Sequence, residues 1–131
     1  MSTSKRINHP EAAPSPHISA AILSNGWIHV SGQGPLDMKT RTPIRGSIEE
    51  ETRRTLANIS TILNQVGGAK HHIVKCTCYL TSLADFDGFN AAYRDYFTLD
   101  VPPARTTLQA ALLDGIKVEI DAIARLPQNN I

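Results

Sequence analysis

Residues 74–97 read VKCTCYLTSLADFDGFNAAYRDYF, and the spacing of their apolar residues changes partway along. From Val74 to Thr81 the residues alternate. Val74, Cys76, Cys78 and Leu80 fall on one face, and Lys75, Thr77, Tyr79 and Thr81 on the other. A period of two is that of a strand with two unlike faces. From Ser82 onward the spacing becomes three and four, through Phe86, Phe89, Tyr93 and the Tyr96/Phe97 pair. That is one stripe of a helix, which starts near Ser82 with Asp85 in its first turn. A strand running directly into an amphipathic helix requires a sheet with helices packed on it.

Upstream, Ser47-Ile48-Glu49-Glu50 has the form of a capping box. The helix it opens carries Thr52, Leu56, Ile59, Leu63 and Val66 on one stripe and stops at Gly67-Gly68. Further upstream, ISAAILSNGWIHVSGQG holds two β-prone runs split by Asn25-Gly26, a strong hairpin signal. The intervening PLDMKTRTPIRG reads as loop. Downstream, Pro102-Pro103 ends the connection from the second helix. ARTTLQAAL and KVEIDAIARL follow as two strands separated at Asp114-Gly115. In the last strand Val118, Ile120, Ala122 and Ala124 share a face. The order β-β-α-β-α-β-β predicts an α+β fold, a mixed sheet with two helices on one face. Residues 1–16, polar and holding three prolines, read as an N-terminal arm, and 17–131 as a single domain.

The final two strands place charge where burial is expected. Arg105 shares a face with Thr107 and Gln109, and Glu119 with Asp121 and Ile123. If the two sets coincide, Arg105 and Glu119 lie on adjoining strands of the face that the helices leave open. They would then form either a structural ion pair or a polar cleft at a subunit interface.

Composition narrows the function classes. The chain has 131 residues, of which 41% are hydrophobic, and its formal net charge is +1. That length supports one core. Near-neutral charge, without runs of interleaved basic and aromatic residues, counts against nucleic acid as a partner. No apolar run approaches the length of a membrane span, and MSTSKRINHPEAAPSPH has no signal-peptide apolar region. Cytoplasm is therefore the expected location. Cys76 and Cys78 are the two cysteines. Two residues apart on a strand they are badly placed for a disulfide, and they read as buried thiols. With His71 and His72 they fit no zinc spacing, so no metal is expected.

The chain is identified as resembling the Rid family, formerly called YjgF, the reactive-intermediate imine and enamine deaminases. VSGQGPLD, TRRTLANISTILNQVG, VKCTCYLTSLADFDGFNAAYRDYF, PPARTTLQ and VEIDAIA carry the resemblance, in the family's order and spacing. It covers about Ser19 to Leu126. It implies a chorismate-mutase-like fold and a homotrimer with three clefts between subunits. The implied activity is hydrolysis of 2-imino or enamino acids to 2-keto acids and ammonia, without a cofactor. Arg105 then matches the arginine that binds the substrate carboxylate, and Glu119 the glutamate that orients or activates water. The main chain at Thr107 matches groups aimed at the imine nitrogen and water, and Gly32 and Asn90 match positions lining or supporting the cleft. Two departures bear on the substrate. His17 stands where many members have a tyrosine, and Thr107 where a cysteine is commoner. Both features, with the Arg-Thr-Thr run, resemble the aminomuconate deaminases of the same superfamily. The alternatives are a non-catalytic binder of small carboxylates such as keto acids, and RNA cleavage, which has been attributed to some relatives.

Overall fold

The computed structural model describes residues 4–128; residues 1–3 of the expected arm and 129–131 of the expected domain lie outside the described residues. The main sheet has six strands: β1 (Lys5–Ile7), β2 (Ala21–Ser24), β3 (Trp27–Gln33), β8 (Val118–Arg125), β6 (Ile73–Leu80) and β7 (Ala104–Gln109), in that spatial order. A short pair, β4 (Leu36–Asp37) and β5 (Thr42–Pro43), forms within the segment read as loop. The helices are α1 (Ile48–Asn64) and α2 (Phe86–Tyr96). Every neighbouring pair in the main sheet is antiparallel except β6 and β7, so the sheet is mixed as expected.

Local chemistry accounts for the boundaries. Asn25 and Gly26 have φ of 52° and 80°, the two positive values that a tight β2–β3 turn needs. Ser47 Oγ accepts from the Glu50 N–H and Glu50 returns a bond to the Ser47 N–H, so the capping box is complete. Beyond α1, Gly67 has φ of 76° and the Gly68 N–H bonds back to the Leu63 carbonyl, which closes the helix end. The second helix begins later than Ser82. A 3₁₀ turn, Leu83–Asp85, comes first, with Ser82 Oγ capping the Ala84 N–H.

One core lies between the helices and one sheet face. Leu56, Ile59 and Leu63 of α1 meet Phe89 and Tyr93 of α2 over Cys76, Cys78, Leu80, Val118, Ile120, Ala122 and Ala124. Burying such side chains contributes about 1.5–3 kcal/mol each for the larger ones.

Three expectations need correction. The last two strands are not neighbours, because α2 carries the chain across the sheet and returns it parallel to β6 at the edge. β8 then enters antiparallel between β3 and β6. The apolar content of each strand follows this placement: alternate residues of β8 are buried along its length, whereas none of β7 is fully buried. Val74 does not join the core face. The register shifts between Ile73 and Lys75, so Ile73 is buried and Val74 turns outward. The segment read as an arm also contributes to the core. Lys5–Ile7 pairs with β2, and Ile7 is 3% exposed.

Candidate functional site

Arg105 lies on β7, the edge strand. It is in register with Cys76 of β6, so its side chain shares the face that carries the helices. There the guanidinium carbon rests 4.7 Å from the ring centre of Tyr93, 5.3 Å from Phe89 and 5.8 Å from Phe86. Its Nη1 donates to Asn90 Oδ1 at 2.8 Å. The aromatic stripe of α2 is thus both core and a bed for the cation, held by cation–π attraction. Asn90, one turn from Phe86 and Tyr93, fixes the fork's orientation. Among the described residues Arg105 forms no ion pair, the one found being Lys117 with Glu51. A half-buried guanidinium held by neutral groups keeps donors for an anion.

The main chain beside it is also free to bind. The Ala110 N–H donates to the Leu80 carbonyl at 2.9 Å, which sets the alternation of the β6–β7 ladder. Thr106 and Leu108 therefore turn their peptide groups toward β6, and Arg105 and Thr107 turn theirs outward from the sheet edge. Thr107 Oγ1 is buried and has no hydrogen-bond partner among the described residues. A ligand or water reaching that hydroxyl would satisfy it.

Glu119 lies elsewhere. It is in register with Tyr79 on β6, on the face opposite the helices. β6 separates it from β7, so within the chain Arg105 and Glu119 are on opposite faces of non-adjacent strands. The expected shared face is not found, and the same geometry rules out the simple cross-strand ion pair between them. Parity within each strand was right; which faces coincide depends on the strand order, which parity does not contain.

Gly32 sits directly against Glu119. A Cβ built on Gly32 would come 2.4 Å from Glu119 Oε2, so the missing side chain is what admits the carboxylate. Burial pushes the Glu119 carboxyl above its usual range, and the neighbouring Asp121 charge adds to this. Asp121 Oδ2 accepts from the Tyr79 hydroxyl at 2.9 Å. Glu119 is therefore a carboxylate of raised basicity beside an opening in the strand surface.

A cavity of about 160 Å³ continues from Gly32, with Ser15, Ile18, Met38 and Arg41 among its walls. His17 is exposed and lies between two of those wall residues, and its N–H donates to Ser15 Oγ at 3.1 Å. Two arginines that sequence reasoning did not single out hold this segment. Arg6 donates to the Ser15 and Ile18 carbonyls, and Arg41 to the Ala13 carbonyl. Such side-chain-to-carbonyl ties leave no periodic signal in the sequence.

The structure thus brings Gly32 and Glu119 together with the His17 segment nearby, and separately gathers Arg105, Thr107 and Asn90. Cys76 and Cys78 are fully buried under Arg105. Burial raises the Cys76 thiol to about 11 and the Cys78 thiol higher still, so neither is a ready nucleophile. Among the described residues no group of three or more His, Cys, Asp or Glu could hold a metal ion, and no helix is long and apolar enough to cross a membrane.

The chain was compared with family models, with curated proteins and with solved structures. The family model described as Endoribonuclease L-PSP matches residues 8–126. Protein DfrA of Myxococcus xanthus is 39% identical over 125 residues, 92% of this chain and 95% of that protein. The 2-iminobutanoate/2-iminopropanoate deaminase of Capra hircus is 36% identical over 106 residues, 81% of this chain and 77% of that one. A crystal structure of YyfA, a protein of unknown function from the conserved Rid family of Yersinia pestis, superposes with a TM-score of 0.88 at 36% identity, covering 94% of this chain and 99% of the other.

Proposed function

The chain belongs to the Rid (YjgF) family, and from that premise we propose that it is a hydrolytic deaminase of 2-imino and enamino acids, working in clefts between subunits of a homotrimer. The observation that carries the reading is the separation of two complementary half-sites. One offers the Arg105 guanidinium, bonded to Asn90 and without an ion pair among the described residues, with outward peptide groups and a Thr107 hydroxyl that has no partner among those residues. The other offers Glu119 against Gly32, beside a cavity. Neither half does much alone.

A head-to-tail ring of copies joins the first half of one protomer to the second half of the next. Such a contact uses two different surfaces and closes when the rotation permits, as in a three-fold ring. The free edge of β7 and the exposed side chains of Ile18, Leu108 and Leu113 are the kind of surface such a contact covers.

In the completed cleft Arg105 holds the substrate carboxylate through charge-assisted bonds, with Asn90 keeping the fork aligned. This places the imine carbon near Glu119. Glu119 takes a proton from water as the oxygen adds to the carbon of the protonated imine; it then returns that proton to the carbinolamine nitrogen, which leaves as ammonia as the C–N bond breaks, and the hydroxyl gives up its proton to leave the keto acid. Thr107 supplies its outward peptide group, and its hydroxyl if the nitrogen comes within reach. His17 stands at the rim, where its imidazole can exchange hydrogen bonds with the substrate or with water. An imine is labile, so alignment provides most of the acceleration. The goat relative's name as an iminobutanoate/iminopropanoate deaminase supports this chemistry.

The test generates imines in place with an amino-acid oxidase and follows their hydrolysis. Arg105→Ala should raise KM steeply and Glu119→Gln should lower kcat. Turnover unchanged in both would overturn the reading. If Glu119→Gln is silent while Arg105→Ala abolishes keto-acid binding, the protein is instead a carboxylate sensor.

A further inference from the structure

Glu51 is an unusual residue in this fold. It projects from the first turn of α1 into the core and is 0% exposed. Its Oε1 accepts the Lys117 main-chain N–H at 2.7 Å. Its Oε2 accepts the Gly46 N–H at 3.1 Å and meets Lys117 Nζ at 3.2 Å. Lys117 Nζ also donates to the Gly46 carbonyl at 2.8 Å, and the Lys117 carbonyl accepts from the Thr81 N–H at 3.1 Å. One buried carboxylate therefore ties together the entry to α1, the loop before it and the residue just ahead of β8. The helix N-terminus favours its charge as well.

We propose that Glu51 is a positioning residue for Glu119, acting through the Lys117 main chain. This rests on the role given to Glu119 above. Lys117 is two residues ahead of Glu119 in an extended chain, so a displacement of Lys117 along the strand carries directly to the carboxylate. Glu119 is sensitive to such a displacement because its oxygen already lies where a Gly32 side chain would be. The charged and titratable groups facing it are Asp121 on its own strand and Tyr79 on β6; β3 presents the uncharged Gly32. Glu51 is on the helix side of the sheet, so its influence is mechanical and runs through Lys117.

The direct test follows the Glu119 side-chain carboxyl by NMR in the full chain labelled with ¹³C-glutamate, the signal being assigned by its loss in Glu119→Gln. Glu51→Asp keeps the charge and withdraws the oxygens by about one bond, roughly 1.5 Å. The Glu119 titration midpoint should then move down toward the ordinary carboxylate range as the site loosens. Imine turnover should fall about tenfold in kcat with KM within twofold, the pattern of a misplaced catalytic group. If Glu51→Asp is too unstable to titrate, Glu51→Met combined with Lys117→Met, which removes the acceptor without leaving a buried charge unpaired, serves in its place with the same expected shift. A folded Glu51 variant with the parental Glu119 midpoint overturns the proposal. The midpoint decides this even if Glu119→Gln shows that Glu119 has no part in turnover, so the two failures are distinguishable.

Discussion

Gly32→Ala is the sharpest perturbation that the geometry offers. The added methyl would lie 2.4 Å from Glu119 Oε2, 3.0 Å from its Cδ and 3.3 Å from its Cγ, where ordinary contact begins at 3.4 Å. All three atoms belong to one flexible side chain and none to the backbone. The carboxylate must therefore retreat by about 1 Å while the strand stays in place. Gly32 does not occupy the left-handed region, so alanine brings no backbone strain. Stability should change by less than about 1 kcal/mol, a melting shift of roughly 3–5 °C or less for a chain of this size. Activity should suffer far more, since displacing a catalytic group by about 1 Å costs on the order of a hundredfold. Imine hydrolysis by the oxidase-coupled assay, run beside a thermal melt and a keto-acid titration, separates the effects. A large drop in kcat with a preserved melt and preserved binding is the expected result. Full activity in a folded Gly32→Ala variant would refute the claim that Glu119 works from this position.

Arg105→Lys keeps the charge but loses the fork, so at least one charge-assisted bond worth about 1.5–3 kcal/mol is lost. Keto-acid affinity by calorimetry should weaken roughly 10- to 100-fold, and parental affinity would contradict the clamp. Glu119 carries a raised pKa in the fold, so its ionisation opposes folding at pH values above that range. Glu119→Gln should accordingly melt higher than the parent at neutral pH, and the gap should close as pH falls below the ordinary carboxylate range. The activity of the parent should fall in acid as Glu119 protonates. The buried Cys76 and Cys78 thiols should resist a thiol reagent until the protein unfolds, and rapid labelling in the native state would contradict their burial.

Much of the architecture was legible because it depends on local periodicity. The change of period within 74–97, the capping box at Ser47 and the Asn25-Gly26 turn each specify their element without reference to the rest of the chain. Strand order was not legible. Nothing local tells β7 to pair with β6 or β8 to enter between β3 and β6, and a one-residue bulge at Val74 defeats simple alternation. The half-sites show the same division. Arg105 and Glu119 could be singled out as charges within β-prone runs, and Asn90 and Gly32 through the family resemblance. Their separation onto two faces follows from topology and is invisible to spacing. In the sequence Glu51 is one more acid in the first turn of a helix, where carboxylates are common. Only the packed fold shows that it is buried and holds the start of β8.

Under the proposed function each cleft draws Arg105 from one protomer and Glu119 from its neighbour. The most direct measurement mixes two inactive proteins, Arg105→Ala and Glu119→Gln, under conditions where subunits exchange, and assays the mixture. An equal, random mixture should regain about a quarter of the parental activity, because that share of heterologous contacts pairs two intact halves. Mixed oligomers, verified by mass, that stay as inactive as their parents would contradict the account.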